Sequence, residues 1–240
     1  MANKRLRGNV ALITGASQGL GFAIADALAS QGCDLIICSR SKSTLNQAAN
    51  KLAKHKVRVL AVTSDVRDSQ PVEDLFAEVK RKFRRLDILV NNAGISHANV
   101  NVANLPADAW RDVIDTNLTG MFYVTRAALR LMKRGSAIVN NLSIAAKRVF
   151  PGSAAYAASK HGGLGFTATL REELRSEGIR VISLLPGATD TEIWNQFWPD
   201  APRKKMMQPA TVAQAVVDAL ALPEQATIEE LTILPSEGVL

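Results

Sequence analysis

The sequence predicts an α/β protein in which one parallel sheet is covered by helices on both faces. Three observations carry this. Runs of strand length alternate with helical patterns from end to end. Those runs are apolar throughout, as buried parallel strands are, rather than alternating polar and apolar. The 240 residues are 47% hydrophobic and 21% charged, which supplies a large core. Chains of this class and length often form a single unit, so we expect one domain over residues 1–240.

The elements follow in order. VALIT (10–14) reads as a strand and Leu20 to Gln31 as a helix; DLIIC (34–38) is a strand and Ser43 to Lys54 a helix. VRVLAV (57–62) is a strand, followed by a helix from Ser69 to Phe83 with Pro71 in its first turn. DILVNN (87–92) is a strand, and Ala107 to Lys133 carries helical periodicity. SAIVNNLS (136–143) is a strand, Ser153 to Ser176 a helix, and IRVISLL (179–185) a strand. Thr211 to Leu222 is a helix and LTIL (231–234) the last strand. Pro186 to Pro209 resists assignment. There is no internal repeat, low-complexity tract or linker.

Composition excludes several classes. No apolar run approaches the roughly 18 residues of a membrane span. MANKRLRGN is basic but leads into no signal-peptide pattern. Two cysteines, Cys33 and Cys38, make neither a disulfide framework nor a zinc site; they read as small buried apolar residues in a reducing, cytoplasmic setting. The net charge of +7 is spread over Arg5, Arg7, Lys80 to Lys82, Arg84, Arg85, Lys147, Arg148 and Arg203 to Lys205, with no interleaved aromatics. That argues against a nucleic-acid stripe and fits a protein that binds phosphate-bearing cofactors or acidic partners. No His, Cys and carboxylate cluster has metal spacing, so no metal is expected. G-x-S-x-G is absent, which leaves a hydrolase elbow unsupported.

The first strand runs into TGASQGLG (14–21), which opens a helix. Gly15 permits the tight turn, Gly19 lets a pyrophosphate approach the backbone, and Gly21 lets helix and strand pack closely. The helix N-terminus offers free N–H groups and a positive dipole to a phosphate. Gly15, Ser17, Gly19, Leu20 and Gly21 are therefore candidate contacts of a dinucleotide. At the end of the second strand an NAD site usually has an acidic side chain for the ribose 2′-hydroxyl. Here the sequence is CSRSK, with Ser39, Arg40 and Lys42 available. A guanidinium suits a 2′-phosphate, so we expect NADP(H) in preference to NAD(H). SDV (64–66) follows the third strand; Asp65 could accept from the adenine amino group and Val66 could offer its backbone N–H. NNAG (91–94) follows the fourth and supplies Asn92, Ala93 and Gly94, with asparagines to tie adjacent loops and a glycine for close approach.

These elements, in their order and spacing, resemble the classical short-chain dehydrogenase/reductase family. The resemblance covers nearly the whole chain: TGASQGLG, Asp65, NNAG, Asn117 within DTNLTG, Ser143, YAASK and the PG of Pro186 and Gly187. In style it is nearest the 3-oxoacyl-carrier-protein reductases and carbonyl reductases. It implies a doubly wound Rossmann-type fold, a single mostly parallel sheet of about seven strands, a nicotinamide cofactor and a catalytic tetrad of Asn117, Ser143, Tyr156 and Lys160.

The chemistry suits those residue types. Reducing a carbonyl takes a hydride from the cofactor and a proton for the developing alkoxide. A phenol of pKa about 10 is a poor acid at neutral pH, and a nearby cation lowers that value. Lys160 stands four residues after Tyr156, on the same helix face. Together with the oxidised nicotinamide it would make Tyr156 a usable general acid/base. Lys160 could also hold the ribose hydroxyls. Ser143 could orient the carbonyl oxygen. Asn117 would bind a water through its backbone and link Lys160 to solvent. His97 could face substrate, though a mobile loop histidine is the simpler reading; His161 points elsewhere, and His55 lies in a basic turn.

In the family the loop after the sixth strand covers the nicotinamide and starts a substrate lid, here at about 187–209. Thr191 stands where the family often has a threonine touching the cofactor. Ile193, Trp194, Phe197, Trp198, Met206 and Met207 make the lid apolar, either as a wall for an apolar substrate or as packing. Ile144, Ala145 and Ala146 would not pair with a substrate carboxylate. The chain ends LTILPSEGVL, whereas many acyl-carrier relatives end with Asp-Gly-Gly. Arg126, Arg130, Lys133 and Arg134 could dock an acidic carrier or face water. The family is commonly dimeric or tetrameric, so we expect a homodimer or homotetramer. A carbonyl reductase or alcohol dehydrogenase is the leading reading; a non-catalytic dinucleotide-binding regulator or scaffold is the alternative.

Overall fold

Seven strands form one sheet in a computed structural model that describes residues 6–238; Arg5 and most of the basic N-terminal stretch lie outside them. The strands are β1 (Val10–Thr14), β2 (Asp34–Ser39), β3 (Val59–Thr63), β4 (Ile88–Asn91), β5 (Ala137–Asn141), β6 (Arg180–Pro186) and β7 (Glu230–Ile233). Their spatial order is β3-β2-β1-β4-β5-β6-β7, and every pairing is parallel. Since β1 lies between β2 and β4, the winding reverses beside it, and the carboxyl ends of β1 and β4 open a crevice.

The helices cover both faces. On one side α1 (Gly19–Ser30), α2 (Lys42–Leu52) and α8 (Pro209–Leu220) pack on Ile13, Leu35, Ile37 and Val90. On the other, α3 (Ser69–Lys82), α5 (Gly120–Leu129) and α6 (Ala154–Arg175) pack on Leu12, Ile36, Leu89 and Ile138. Residues adjacent in a strand point to opposite faces, so the unbroken apolar runs feed two cores at once. Leu12, Ile13, Ile36, Ile37 and Leu89 are fully buried; each contributes about 1.5–3 kcal/mol relative to exposure.

Outside residues 107–133, the boundaries expected from sequence shift by at most two residues. Val57 and Arg58 precede β3, because the Asp34 carboxylate draws in the Arg58 backbone N–H (2.9 Å) and its Nε (2.7 Å) before pairing begins. The larger correction concerns the helix expected from Ala107 to Lys133. It is two helices, α4 (Ala107–Ile114) and α5, joined by a π-helical turn at Asp115–Thr119, and α5 ends at Leu129. Gly120 starts α5 against Val66: a Cβ there would stand 2.8 Å from Val66 Cγ2. The segment after β6 holds a short helix, α7 (Trp194–Phe197), and a 3-10 turn at Arg203–Lys205.

Candidate active site

A cavity of about 820 Å³ opens along the carboxyl ends of the strands. All of the expected site residues line it except Asn117. They come from seven segments far apart in the chain.

The glycine loop forms the floor. Gly15 (φ +65°) and Gly19 (φ +57°) occupy the left-handed region that glycine tolerates. A Cβ on Gly15 would stand 2.9 Å from Ala93 Cα. The sequence reading gave Gly21 the task of letting helix and strand approach, and the structure shows α1 meeting the residues just beyond β1 and β4 there. A Cβ on Gly21 would meet Asn92 Nδ2 at 2.3 Å and the Gly15 carbonyl oxygen at 2.4 Å. The missing side chain therefore admits the loop itself. Asn92 Nδ2 donates to the carbonyls of Thr14 (2.9 Å) and Gly15 (3.2 Å), and its Oδ1 accepts from Asn141 Nδ2 at 2.9 Å. Thr14 Oγ1 accepts from the backbone N–H groups of Asn92 and Ala93. Gln18 at the N-cap of α1 contributes no side-chain cap, so the first-turn N–H groups face the loop. A cradle that a Cβ would fill, at a helix N-terminus, fits a pyrophosphate.

At the end of β2 the lining residues are Ser39, Arg40, Ser41 and Thr44. Ser41 caps α2, its Oγ accepting weakly from Thr44 N at 3.5 Å. Ser41 and Thr44 were not read from the sequence, although a serine between Arg40 and a helix start signals a hydroxyl-rich anion site. Lys42 does not line the cavity; it lies in the first turn of α2 and is exposed.

Asp65 lines the cavity, with a partner the sequence reading did not assign. Its Oδ1 accepts from Arg67 N (3.0 Å) and Nε (3.2 Å), and its Oδ2 from Arg67 Nε (3.0 Å) and Nη2 (2.7 Å). Burial works to raise its pKa, but the hydrogen bonds and charge of Arg67 outweigh it and hold the carboxylate below its ordinary range. Arg67 in turn pairs with Asp112 at 2.9 Å. The carboxylate's lone-pair sites are thus taken up within the protein.

Ser143, Tyr156 and Lys160 meet at the other end. Ser143 sits beyond the end of β5, and its Oγ accepts from Ala145 N at 3.1 Å, which leaves its own proton to donate. Tyr156 is half-buried, in the first turn of α6. Burial pushes its phenol above the ordinary range, and the neighbouring Ser143 hydroxyl works the other way. The sequence expectation was a lowered value. In this structure Lys160 Nζ lies 5.4 Å from the Tyr156 ring centroid, over its face, and desolvation prevails. Lys160 is buried, donates to the Asn141 carbonyl at 3.0 Å, and is pushed by burial down to about 8. Two of its three donors remain for a ligand.

Asn117 occupies the π-helical turn. Its Nδ2 donates to the Ile95 carbonyl (2.9 Å) and Ser159 Oγ (3.0 Å), and its Oδ1 accepts from Ile95 N (2.8 Å). The side chain therefore clamps the loop after β4 to α6, and only its main chain is left for a water. His97 corrects the sequence reading: it is buried rather than a mobile loop residue, and its Nδ1 lies 2.7 Å from the Ala98 carbonyl. His161 is exposed with Nδ1 2.9 Å from the Ala157 carbonyl, and His55 pairs with Asp26 at 2.8 Å. Among the described residues no group of His, Cys, Asp and Glu could hold a metal ion.

The segment after β6 closes the cavity. Pro186, Gly187, Thr191, Ile193, Trp194, Phe197 and Trp198 line it. Met206 is instead buried against Ala188, Ala201 and Trp194, and Met207 packs against the main core; both are packing residues. Sequence reasoning missed Arg203, which it counted as one scattered cation. Its guanidinium donates to Asp190 Oδ1 (2.8 Å), the Thr191 carbonyl (2.6 Å) and Asn195 Oδ1 (2.7 Å), which fixes the start of this segment. It also missed Asn99, from the loop after β4, and Glu192, both on the cavity.

Comparison with known proteins agrees with this architecture. The family model described as short chain dehydrogenase matches residues 9–202. An uncharacterized oxidoreductase of Staphylococcus aureus is 34% identical over 232 residues, covering 96% of this chain and 98% of that protein. An alcohol dehydrogenase from the archaeon Thermococcus sibiricus, complexed with 5-hydroxy-NADP, superposes with a TM-score of 0.89 at 31% identity, covering 95% of this chain and 97% of that one. A 3-ketoacyl-(acyl-carrier-protein) reductase from Brucella melitensis, complexed with NADH, gives 0.88 at 28% identity over 98% and 100% of the two chains. The chain belongs to the short-chain dehydrogenase family and is an oxidoreductase that uses a nicotinamide dinucleotide.

Proposed function

We propose that the protein is an NADPH-dependent reductase that converts a carbonyl to an alcohol, or runs the reverse, with Tyr156 as general acid/base. The observation that carries this reading is the meeting of Ser143, Tyr156 and Lys160 on the cavity that also holds the glycine loop. A nicotinamide held on the glycine loop would supply the hydride and the two electrons of the reduction. The protein supplies the rest. Ser143 donates its free proton to the carbonyl oxygen and orients it. Tyr156 gives its phenolic proton to that oxygen, completing the O–H bond as the C–H bond forms. Burial keeps Tyr156 a phenol at neutral pH, the form that reduction needs. The Lys160 ammonium stabilises the phenolate left behind. Asn117 holds the loop and helix on which these groups depend.

NADP(H) is the preferred cofactor in this reading. Arg40, Ser39, Ser41 and Thr44 offer a cation and hydroxyls where the 2′-phosphate would lie, and the carboxylate after β3, Asp65, is bound to Arg67. Residues 187–209 act as a substrate lid on a single domain, and the substrate is a small, apolar carbonyl compound or alcohol. The working form is a homodimer or homotetramer in a reducing cytoplasm. The two buried free thiols, each pushed up to about 12 chiefly by burial, suit that compartment. NADPH and NADH oxidation with a ketone panel tests the reading. We expect Tyr156→Phe to lose at least ~10³-fold in kcat, near the upper range for general acid catalysis, while binding NADPH as the parent does. Retained turnover would remove Tyr156 from its role, and equal efficiency with NADH would remove the cofactor preference.

A further inference from the structure

We infer that the substrate is an uncharged carbonyl compound with a flat aromatic or polycyclic body, selected by Phe150, Trp194, Phe197 and Trp198. This rests on the carbonyl reductase reading above. The first argument is charge. Among the described residues the cations lining the whole cavity are Arg40 and Lys160. Arg40 follows β2, away from Ser143, and Lys160 has one donor on the Asn141 carbonyl and its ammonium over the Tyr156 ring, where the proposed reaction uses it to stabilise the phenolate. Among the described residues no second cation lines the cavity beside Ser143 and Tyr156 for a substrate carboxylate or phosphate, and an anion taken from water into such a site without a partner of its own is strongly disfavoured. The lid adds no cation to the cavity; its charged lining residue is a carboxylate, Glu192, beside the glycine loop.

The second argument is shape. Trp194 is fixed by its Nε1, which donates to the Thr189 carbonyl at 2.9 Å. Phe197 meets it edge-on at 6.1 Å and Trp198 lies tilted at 6.3 Å, so the lid presents rings already set in place. Phe150 lines the same cavity from the loop after β5, where Gly152 (φ +81°) packs under Asn99 and the Val100 N–H donates to the Gly152 carbonyl. The polar side chains among these rings, Ser96, Asn99 and Gln196, are neutral. Rings held this way stack on a flat apolar body at little entropic cost.

The third argument concerns carrier-bound acyl groups. Three of the four cations named above for docking an acidic carrier have partners within the fold. Arg126 and Arg130 converge on Glu73 at 4.0 and 2.6 Å, and Arg134 donates to the Ser176 carbonyl.

Three matched ketones separate the terms with purified full-length protein and NADPH: ethyl benzoylformate, the benzoylformate anion and ethyl pyruvate. We expect kcat/KM for the aromatic ester to exceed that for its free acid by at least about 30-fold. It should exceed that for ethyl pyruvate by about tenfold or more. Trp198→Ala should shrink the second ratio and leave the first in place, because the first comes from charge. Quenching of tryptophan fluorescence by the aromatic ester, in protein saturated with NADP⁺, reads binding without turnover and should weaken in the variant. Equal or better reduction of the acid, or of ethyl pyruvate, overturns the inference while leaving the reductase reading intact. NADPH binding with no oxidation on any of the three overturns both.

Discussion

Lys160 keeps its charge where burial penalises it. Its ammonium is held near neutral pH by one carbonyl and one ring face. The folded-state value of about 8 lies below the ordinary 10.5, so between those values the unfolded chain binds the extra proton and stability rises with pH. The penalty is fully present below about 8 and gone above 10.5. Cys33 and Cys38, raised from 9.0 to about 12, act in the opposite sense above pH 9.0. A comparison of the parent with Lys160→Met cancels the cysteines. In urea unfolding of cofactor-free protein, the parent should gain roughly 1–2 kcal/mol on the variant between pH 8 and 9.5. A flat difference would place the titration elsewhere. Glu192 offers a second test at this scale. Its Oε2 stands 3.0 Å from where a Cβ on Gly19 would be, against the loop that would take the pyrophosphate. Because Glu192 is exposed, its repulsion is modest and screened. Glu192→Gln should tighten NADPH binding by about two- to fivefold at low ionic strength, and less in salt. Titration of NADPH fluorescence reads this directly, and unchanged affinity would show that the carboxylate swings clear.

The elements were legible in type and order, and less so where a tertiary contact overrides local pattern. The helix expected through residues 107–133 is interrupted because Asn117 must bond both Ile95 and Ser159 while Gly120 lies against Val66. Neither partner is near in sequence, so periodicity could not report the break. The residues expected for the tetrad and the glycine loop stood out because several motifs fell in register, and the structure brings Ser143, Tyr156 and Lys160 onto one cavity with that loop. Arg203, Asn99 and Glu192 were not, because a lone cation, amide or carboxylate in an irregular segment carries no periodic signal. Gly21 was read as the point where helix and strand approach, and the atoms that meet it belong to Gly15 and Asn92, just past β1 and β4. Gly21→Ala would drive a Cβ into the Gly15 carbonyl and the Asn92 amide, backbone that cannot yield cheaply. We expect a loss of about 1–3 kcal/mol in stability and a disproportionate loss of NADPH affinity, read by thermal melts with and without NADPH. A variant whose melt rises with NADPH as much as the parent's would contradict this account of the loop.

At the scale of the whole molecule, the sheet order places the ends of β1, β2, β4, β5 and β6 around one cavity. No helix of the described residues is long and apolar enough to cross a membrane. Phe122 is 41% exposed on α5, stacked with Tyr123 and Phe166 and covered by Arg126, and Trp110 is equally exposed on α4. Large aromatics on neighbouring helices suit the proposed contact between copies. Sedimentation should give a dimer or tetramer, and Phe122→Glu should yield a smaller species. A monomeric parent would remove the oligomer from the proposal.

Strand and helix order, the two-faced core, the dinucleotide loop and the residue types of the proposed chemistry were all dictated by the chain's own pattern, because periodicity and glycine spacing are local properties. Three-dimensional packing alone decided the rest: that Asp65 answers to Arg67, that His97 is buried, that burial raises Tyr156 despite Lys160, and that aromatic rings from the lid line the cavity that holds Ser143. Each of these depends on which distant groups share a small, poorly solvated volume, and desolvation and ion pairing are set by that neighbourhood.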